Sequence, residues 1–152
     1  MTTTLMTDRL TLRAYRDDDA EALFDLHSRE EVQRWIGDGL VGTLLLKPIP
    51  ISGSALAADP GTADLEHAIA SPDVEIGWHL HPDVWGRGVA TEAARRVLDH
   101  ASDHGLEHVV AVTHPDNLPS QRVALRLGMV DRGSTERYYD TTTRLFDLDL
   151  SA

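Results

Sequence analysis

No cysteine occurs in the 152 residues, which excludes disulfides, thiolate nucleophiles and cysteine-ligated zinc and makes a reducing cytoplasm the simplest home. No apolar run approaches the roughly 20 residues that cross a bilayer, so no membrane association is expected. The opening Met1–Arg9 lacks a basic stretch followed by an apolar one, so a secretory leader is not expected there. Positive charge is scarce: 14 Lys and Arg stand against 25 Asp and Glu, a formal charge of −11. A field of that sign opposes binding to nucleic acid and favours cationic partners, amines among them, although solubility alone also accounts for it. Internal repeats and low-complexity tracts are absent as well. What remains is the composition of one domain over residues 1–152, long enough to bury about 70% of the unfolded chain's surface.

Leu10, Leu12 and Ala14 alternate with Thr11 and Arg13, predicting a short half-buried strand. Asp17–Asp19 offer N-cap carboxylates to a helix carrying Ala20, Leu23, Phe24 and His27, and a second helical piece runs from about Arg29 to Trp35. Leu40–Lys47 reads as a continuous apolar strand suited to burial on both faces. Pro48, Pro50, Gly53, Pro60 and Gly61 make residues 48–73 a long surface excursion. Val74–Leu80 is the next strand. Ala90, Ala93, Ala94, Val97, Leu98 and Ala101 then recur at three- and four-residue steps, the stripe of an amphipathic helix that Gly105 ends. Val109–Thr113 is a β-branched strand. Asn117 and Pro119 open a helix whose buried side holds Val123, Ala124 and Leu127, closed by Gly128. Phe146, Leu148 and Leu150 alternate with aspartates in a terminal strand. This order predicts an α/β or α+β fold around a mixed sheet.

Chemistry concentrates between Val74 and Ala94, where a strand, a tight turn with Gly86 and Gly88, and a helix of small residues follow one another. Glycines permit left-handed angles and leave no Cβ between the amides and a ligand. Converging N–H groups, with the positive end of a helix behind them, make an anion site that suits a pyrophosphate. Arg87 adds a charge-assisted donor. The nucleotide P-loop needs Gly-Lys-Ser/Thr, but Gly88 is followed by Val89-Ala90. The dinucleotide fingerprint needs Gly or Ala where Thr91 stands, and an acidic residue about twenty positions on at the end of a strand, whereas Glu107 precedes its strand.

The turn resembles instead the acetyl-CoA site of the GNAT superfamily, Gln/Arg-x-x-Gly-x-Gly/Ala, which reads here Trp85-Gly-Arg-Gly88-Val-Ala90. Trp at the first place is similar to the ribosomal-protein-alanine N-acetyltransferase branch, with its Trp-Gly-x-Gly-x-Ala-Thr-Glu-Ala. Thr7-Asp-Arg-Leu-Thr-Leu-Arg13, Val41-Gly-Thr-Leu-Leu-Leu46 and Val112-Thr-His-Pro-Asp-Asn117 through Leu127-Gly-Met129 resemble further parts of that branch in the same order. The resemblance implies a mostly antiparallel central sheet flanked by helices. It departs at Ile36–Gly39, where a helix and a strand of the branch have no counterpart. A shortened N-terminal half would leave a sheet edge for a second copy to cover, making a homodimer.

What the resemblance implies for the site is specific. The backbone at Leu80 and His81 pairs with the pantetheine arm. Trp85, Gly86, Arg87, Gly88, Val89, Ala90 and Thr91 hold the pyrophosphate, mainly through their amides. Asn117 contacts the pantetheine chain and Ser120 lies near the thiol, although both also suit helix capping. Acetyl-CoA is the donor, an amine the acceptor, and no metal is needed. The reaction is direct attack on the thioester, for which the amine must be neutral.

An α-amine of pKa ~8 is about one-tenth neutral at pH 7, a lysine of ~10.4 only about one part in two thousand. A base therefore matters less for a protein N-terminus than for lysine. By strand alternation Glu75 and His79 share a face with Gly77, which would leave space for a substrate; Glu75 is the first candidate base. Ser120, Tyr138 and Tyr139 are candidate acids. His100 and His104 have metal-ligand spacing, but Asp103 and Glu107 beside them read as a solvated helix end. The acceptor stays open between a protein N-terminus and a small amine, and a non-catalytic acyl-CoA-binding module is the alternative outside enzymes.

Overall fold

A computed structural model describes residues 3–20, 40–53 and 73–152. The helices expected between Ala20 and Trp35, the departure at Ile36–Gly39 and most of the 48–73 excursion lie outside the described residues. Two compact units are distinguished, Met1–Leu44 with Trp78–His100, and Leu45–Gly77 with Ala101–Ala152.

In the first unit, β1 (Leu5–Met6) and β2 (Thr11–Leu12) form an antiparallel hairpin with Leu5 opposite Leu12. Its turn is tied by Thr7, whose N–H donates to the Leu10 carbonyl at 3.0 Å and whose Oγ1 accepts the Leu10 N–H at 2.9 Å. Asp17–Asp19 form a single 3-10 turn, and the helix they were expected to cap lies outside the described residues. The Asp19 carboxylate reaches back to the Arg16 N–H at 2.7 Å while Arg13 forks onto both oxygens at 2.6 and 2.7 Å. That fork holds the Asp19 carboxyl down at about 2. Strand β3 (Gly42–Pro48) begins here, and His81 donates its N–H to the Val41 carbonyl at 2.9 Å. A Cβ on Gly42 would lie 2.8 Å from the His79 carbonyl oxygen, so β3 approaches β4 (Val74–Leu80) too closely for any other residue.

Helix α1 (Val89–Asp103) follows the Gly-rich turn, and the expected alanine stripe is its buried face: Ala93, Ala94 and Leu98 are at most 4% exposed. Gly105, at φ +87°, ends it. Leu106 N–H bonds to the Ala101 carbonyl and Gly105 N–H to that of Ser102, the paired bonds of a Schellman cap. The same pairing recurs at Gly128, φ +88°, after helix α2 (Leu118–Arg126).

The second unit is built on a sheet of order β3-β4-β5-β7-β6, with β5 at His108–Thr113, β6 at Val130–Thr135 and β7 at Thr143–Asp149. Strands β4 and β5 are parallel, registered at Glu75 and Val110; β5–β7 and β6–β7 are antiparallel. The sheet is thus mixed and mostly antiparallel, as expected. One face carries Val109, Ala111 and Phe146, all at most 2% exposed, with Ala111 directly opposite Phe146. Ile49, Val110 and Tyr138 form a buried cluster joined by Val112, Tyr139 and Leu145.

Two expectations change. Strand β3 is not buried on both faces, since Leu45 and Leu46 are 40% and 39% exposed. Strand β6 was not foreseen, because Val130-Asp-Arg-Gly-Ser-Thr135 has no apolar alternation and its lone large apolar residue is half exposed. It pairs with β7 alone at the end of the sheet, where backbone bonds rather than burial hold a strand. Phe146→Ala should destabilise the protein by about 3–5 kcal/mol, read from denaturant unfolding, because a fully buried aromatic leaves a cavity that a sheet cannot close.

Candidate functional site

The turn between β4 and α1 is built by short-range bonds. A 3-10 turn at Pro82–Val84 is closed by Val84 N–H on the His81 carbonyl at 3.1 Å and Trp85 N–H on that of Pro82 at 3.0 Å. The Trp85 indole N–H donates to the Leu80 carbonyl at 2.9 Å, while its ring stays 64% exposed. Gly86 and Gly88 then take φ of +70° and +75°, angles that L side chains rarely adopt. The first helical bond runs from Glu92 N–H to the Gly88 carbonyl at 3.0 Å. Gly88 therefore caps α1, and the N–H groups of residues 88–91 have no intrahelical acceptor. A glycine cap brings no side chain to them.

The surroundings of the two glycines are open. A Cβ at Gly86 would meet no protein atom within 4 Å, and one at Gly88 only the Arg9 guanidinium at 3.8 Å. Glycine is thus required there by the angles and not by crowding. Thr91 Oγ1, buried in the same first turn, has no hydrogen-bond partner among the described residues.

Of the two strand positions expected to face pantetheine, His81 already gives its N–H to Val41. The Leu80 carbonyl is likewise engaged, by the Trp85 indole N–H. The His81 ring turns inward on its own loop, with Nδ1 accepting the Asp83 N–H at 3.2 Å. In α2, Asn117 Oδ1 accepts the Ser120 N–H at 3.2 Å, so Asn117 caps the helix and Ser120 lies in its first turn.

In the second unit Glu75 is 6% exposed and accepts a hydrogen bond from the Tyr139 hydroxyl. Burial raises its carboxyl above the ordinary 4.5, opposed by the Tyr139 hydrogen bond and by Lys47. Tyr139 is pushed up in turn, by burial first and then by the carboxylate it serves. Lys47 Nζ stands 5.7 Å from the Tyr139 ring centre. Tyr139 and Asp140 are left-handed, at φ +59° and +53°, and this bend is strapped to the chain after β3 by Ser52 N–H on Arg137 O (2.8 Å) and Tyr139 N–H on Pro50 O (3.3 Å).

Tyr138 is 1% exposed, donates to Asp73 Oδ2 at 2.7 Å, and is pushed up to about 12 by burial and that carboxylate. The tyrosine joined to Glu75 is thus its neighbour Tyr139, not Tyr138. Nor does Gly77 leave space on the Glu75 face: Leu45 fills it, its Cγ 3.0 Å from where a Cβ would stand. Sequence reasoning did not single out Leu45 or Lys47, whose places depend on the β3–β4 register. Among the described residues no three of His, Asp and Glu gather as metal ligands.

A strand leading through two left-handed glycines into a helix of small residues is the arrangement that the resemblance to the GNAT superfamily implies. Comparison with known proteins agrees. The family profile described as "Acetyltransferase (GNAT) domain" matches residues 51–130. The Bacillus subtilis (strain 168) N-acetyltransferase YoaA is 31% identical over 153 aligned positions, covering 88% of this chain and 86% of its own. A GNAT-family acetyltransferase from Bacillus anthracis superposes with a TM-score of 0.70 at 20% identity, over 99% of this chain and 100% of that one. A Vibrio cholerae protein described as a candidate ribosomal-protein-serine acetyltransferase gives 0.65 at 18% identity, over 97% of each chain. The chain belongs to the GNAT family of acetyltransferases. It is an N-acetyltransferase.

The Glu75 environment sets a sign for stability against pH. With its folded value raised above 4.5, the folded protein holds more protons than the unfolded chain in that window, so this group's contribution falls as pH rises through it. Glu75→Gln removes the loss. In thermal melts from about pH 4 to 8 the variant should gain on the wild type with rising pH, whereas parallel curves would contradict the assignment.

Proposed function

We propose that the 152 residues act as one acetyltransferase domain in a reducing cytoplasm, with the amides of residues 86–91 holding the diphosphate of acetyl-CoA and Glu75 serving as base. The observation that carries this is the cap: four N–H groups without intrahelical acceptors, behind two left-handed glycines whose Cβ directions are open. Bound acetyl-CoA supplies the thioester that the amine attacks. Leu80 offers backbone to the pantetheine arm, Arg87 adds charge near the phosphates, and Asn117 and Ser120 keep the cofactor contacts that the resemblance implies.

Glu75 is nearly buried, so its proton route runs through the Tyr139 hydroxyl, which already points at it. As the amine attacks, Tyr139 passes its proton to Glu75 and receives one from the amine nitrogen, so the phenol never carries charge. The raised carboxyl matches a base working nearer neutrality than an ordinary glutamate. Tyr139 itself is a poor acid, and a coenzyme A thiolate leaves without one. A single indirect base suits an acceptor that is already partly neutral, which favours an α-amine or a small amine of low pKa over lysine. The homodimer rests on the departure at Ile36–Gly39, which lies outside the described residues.

Calorimetry with acetyl-CoA, followed by thiol release over a panel of N-terminal peptides, lysine peptides and small amines, tests the reading. Glu75→Gln should lower kcat about 10²-fold while acetyl-CoA binding is kept. Gly88→Val places a β-branched residue at φ +75° and fills the cradle, so binding should fall below detection in a protein that still folds. Unchanged affinity in Gly88→Val would remove the diphosphate assignment. Binding without turnover on any amine would favour the acyl-CoA-binding module.

A further inference from the structure

The first turn of α1 is gripped from the β1–β2 hairpin. Arg9 Nε donates to Glu92 Oε2 at 2.7 Å, and Nη2 lies 2.5 Å from the same oxygen. Thr7 Oγ1 donates to Glu92 Oε1 at 2.5 Å. The Arg9 Nη2 also donates to the Arg87 carbonyl oxygen at 3.1 Å, inside the turn itself. Arg96 Nε adds a bond from α1 to the Met6 carbonyl at 3.2 Å, so hairpin and helix are tied at two places.

We propose that Arg9 is a positioning residue for coenzyme A, fixing the Arg87–Gly88 peptide so that the Gly88 N–H faces the diphosphate. The proposal rests on residues 86–91 being the diphosphate site. In a trans peptide the C=O and the following N–H point in opposite directions. Pinning the Arg87 oxygen to Arg9 therefore turns the Gly88 N–H to the far side of the turn. Left alone, that peptide is easily rotated, because glycine at 88 accepts φ of either sign. The Arg9 bond selects one orientation before any ligand arrives. A cation on the carbonyl also polarises the amide and makes its N–H a stronger donor.

A second effect follows from Glu92. Its carboxylate is held below the ordinary range by the Thr7 hydroxyl and by Arg9, so it stays ionised in the first turn of the helix that receives two phosphates. Unanswered, that charge would repel the ligand; Arg9 answers it. Both effects act on the diphosphate and not on the thioester.

The test compares acetyl-CoA with S-acetylpantetheine, which has the thioester arm and no diphosphate, in wild type, Arg9→Ala and Arg9→Lys. Arg9→Ala should weaken acetyl-CoA about tenfold and S-acetylpantetheine less than about twofold, the loss of one charge-assisted hydrogen bond. In 15N-labelled protein the Gly88 amide should move on acetyl-CoA addition in wild type and much less in Arg9→Ala. Arg9→Lys keeps charge but lacks the planar fork that reaches Glu92 and Arg87 together, so it should fall between. It carries the test if Arg9→Ala does not fold. Equal weakening of both donors would reduce Arg9 to a fold contact and overturn the proposal. Unchanged acetyl-CoA affinity in both variants would overturn it and leave the diphosphate site standing. Failure of the wild type to bind acetyl-CoA would remove that site and the proposal together.

Discussion

Everything that the turn does depends on two residues held at positive φ. Gly86 and Gly88 let β4 give way to α1 with no capping side chain between them, and so four backbone donors are left pointing outward. A longer loop would reach the helix too, but its own polar groups would satisfy those donors. The rest of the first unit serves this geometry. The Pro82–Val84 turn and the Trp85 indole bond fix the approach, and the alanine face of α1 anchors the helix behind it.

The second unit holds a different balance. A carboxylate on a central strand pays for desolvation unless something donates to it, and Glu75 receives one phenol while a lysine stands near that phenol's ring. These contacts offset burial only in part, since the net shift remains upward. That incomplete compensation is what distinguishes Glu75 from Asp131 and Asp147, whose arginine partners hold them low. Those aspartates read as structural pairs, whereas Glu75 keeps a carboxyl whose burial is only partly answered.

Much of this was legible in the sequence. The α1 stripe, both helix-closing glycines and the Gly-rich turn follow from local periodicity and backbone angle, which a linear reading can see. The class of fold and the family were legible through the order of short motifs. What escaped was set by pairing across the chain. Strand β6 has no apolar rhythm because its bonds to β7 suffice. Leu45 over Gly77 depends on the β3–β4 register. Tyr138 and Tyr139 both reach carboxylates, Asp73 and Glu75, through a left-handed bend at Tyr139 that residue spacing does not reveal. Arg9 belongs to a motif that resemblance picked out, yet its contact with Arg87 appears only in three dimensions.

Leu45 over Gly77 has an evolutionary consequence. The strand bearing Glu75 supplies a gap, and a side chain from the adjacent strand decides how much of it is filled. A smaller residue at position 45 would open space over Gly77 without any change on the strand that carries Glu75. The size of that gap and the carboxylate beside it are therefore encoded on separate strands and can change independently.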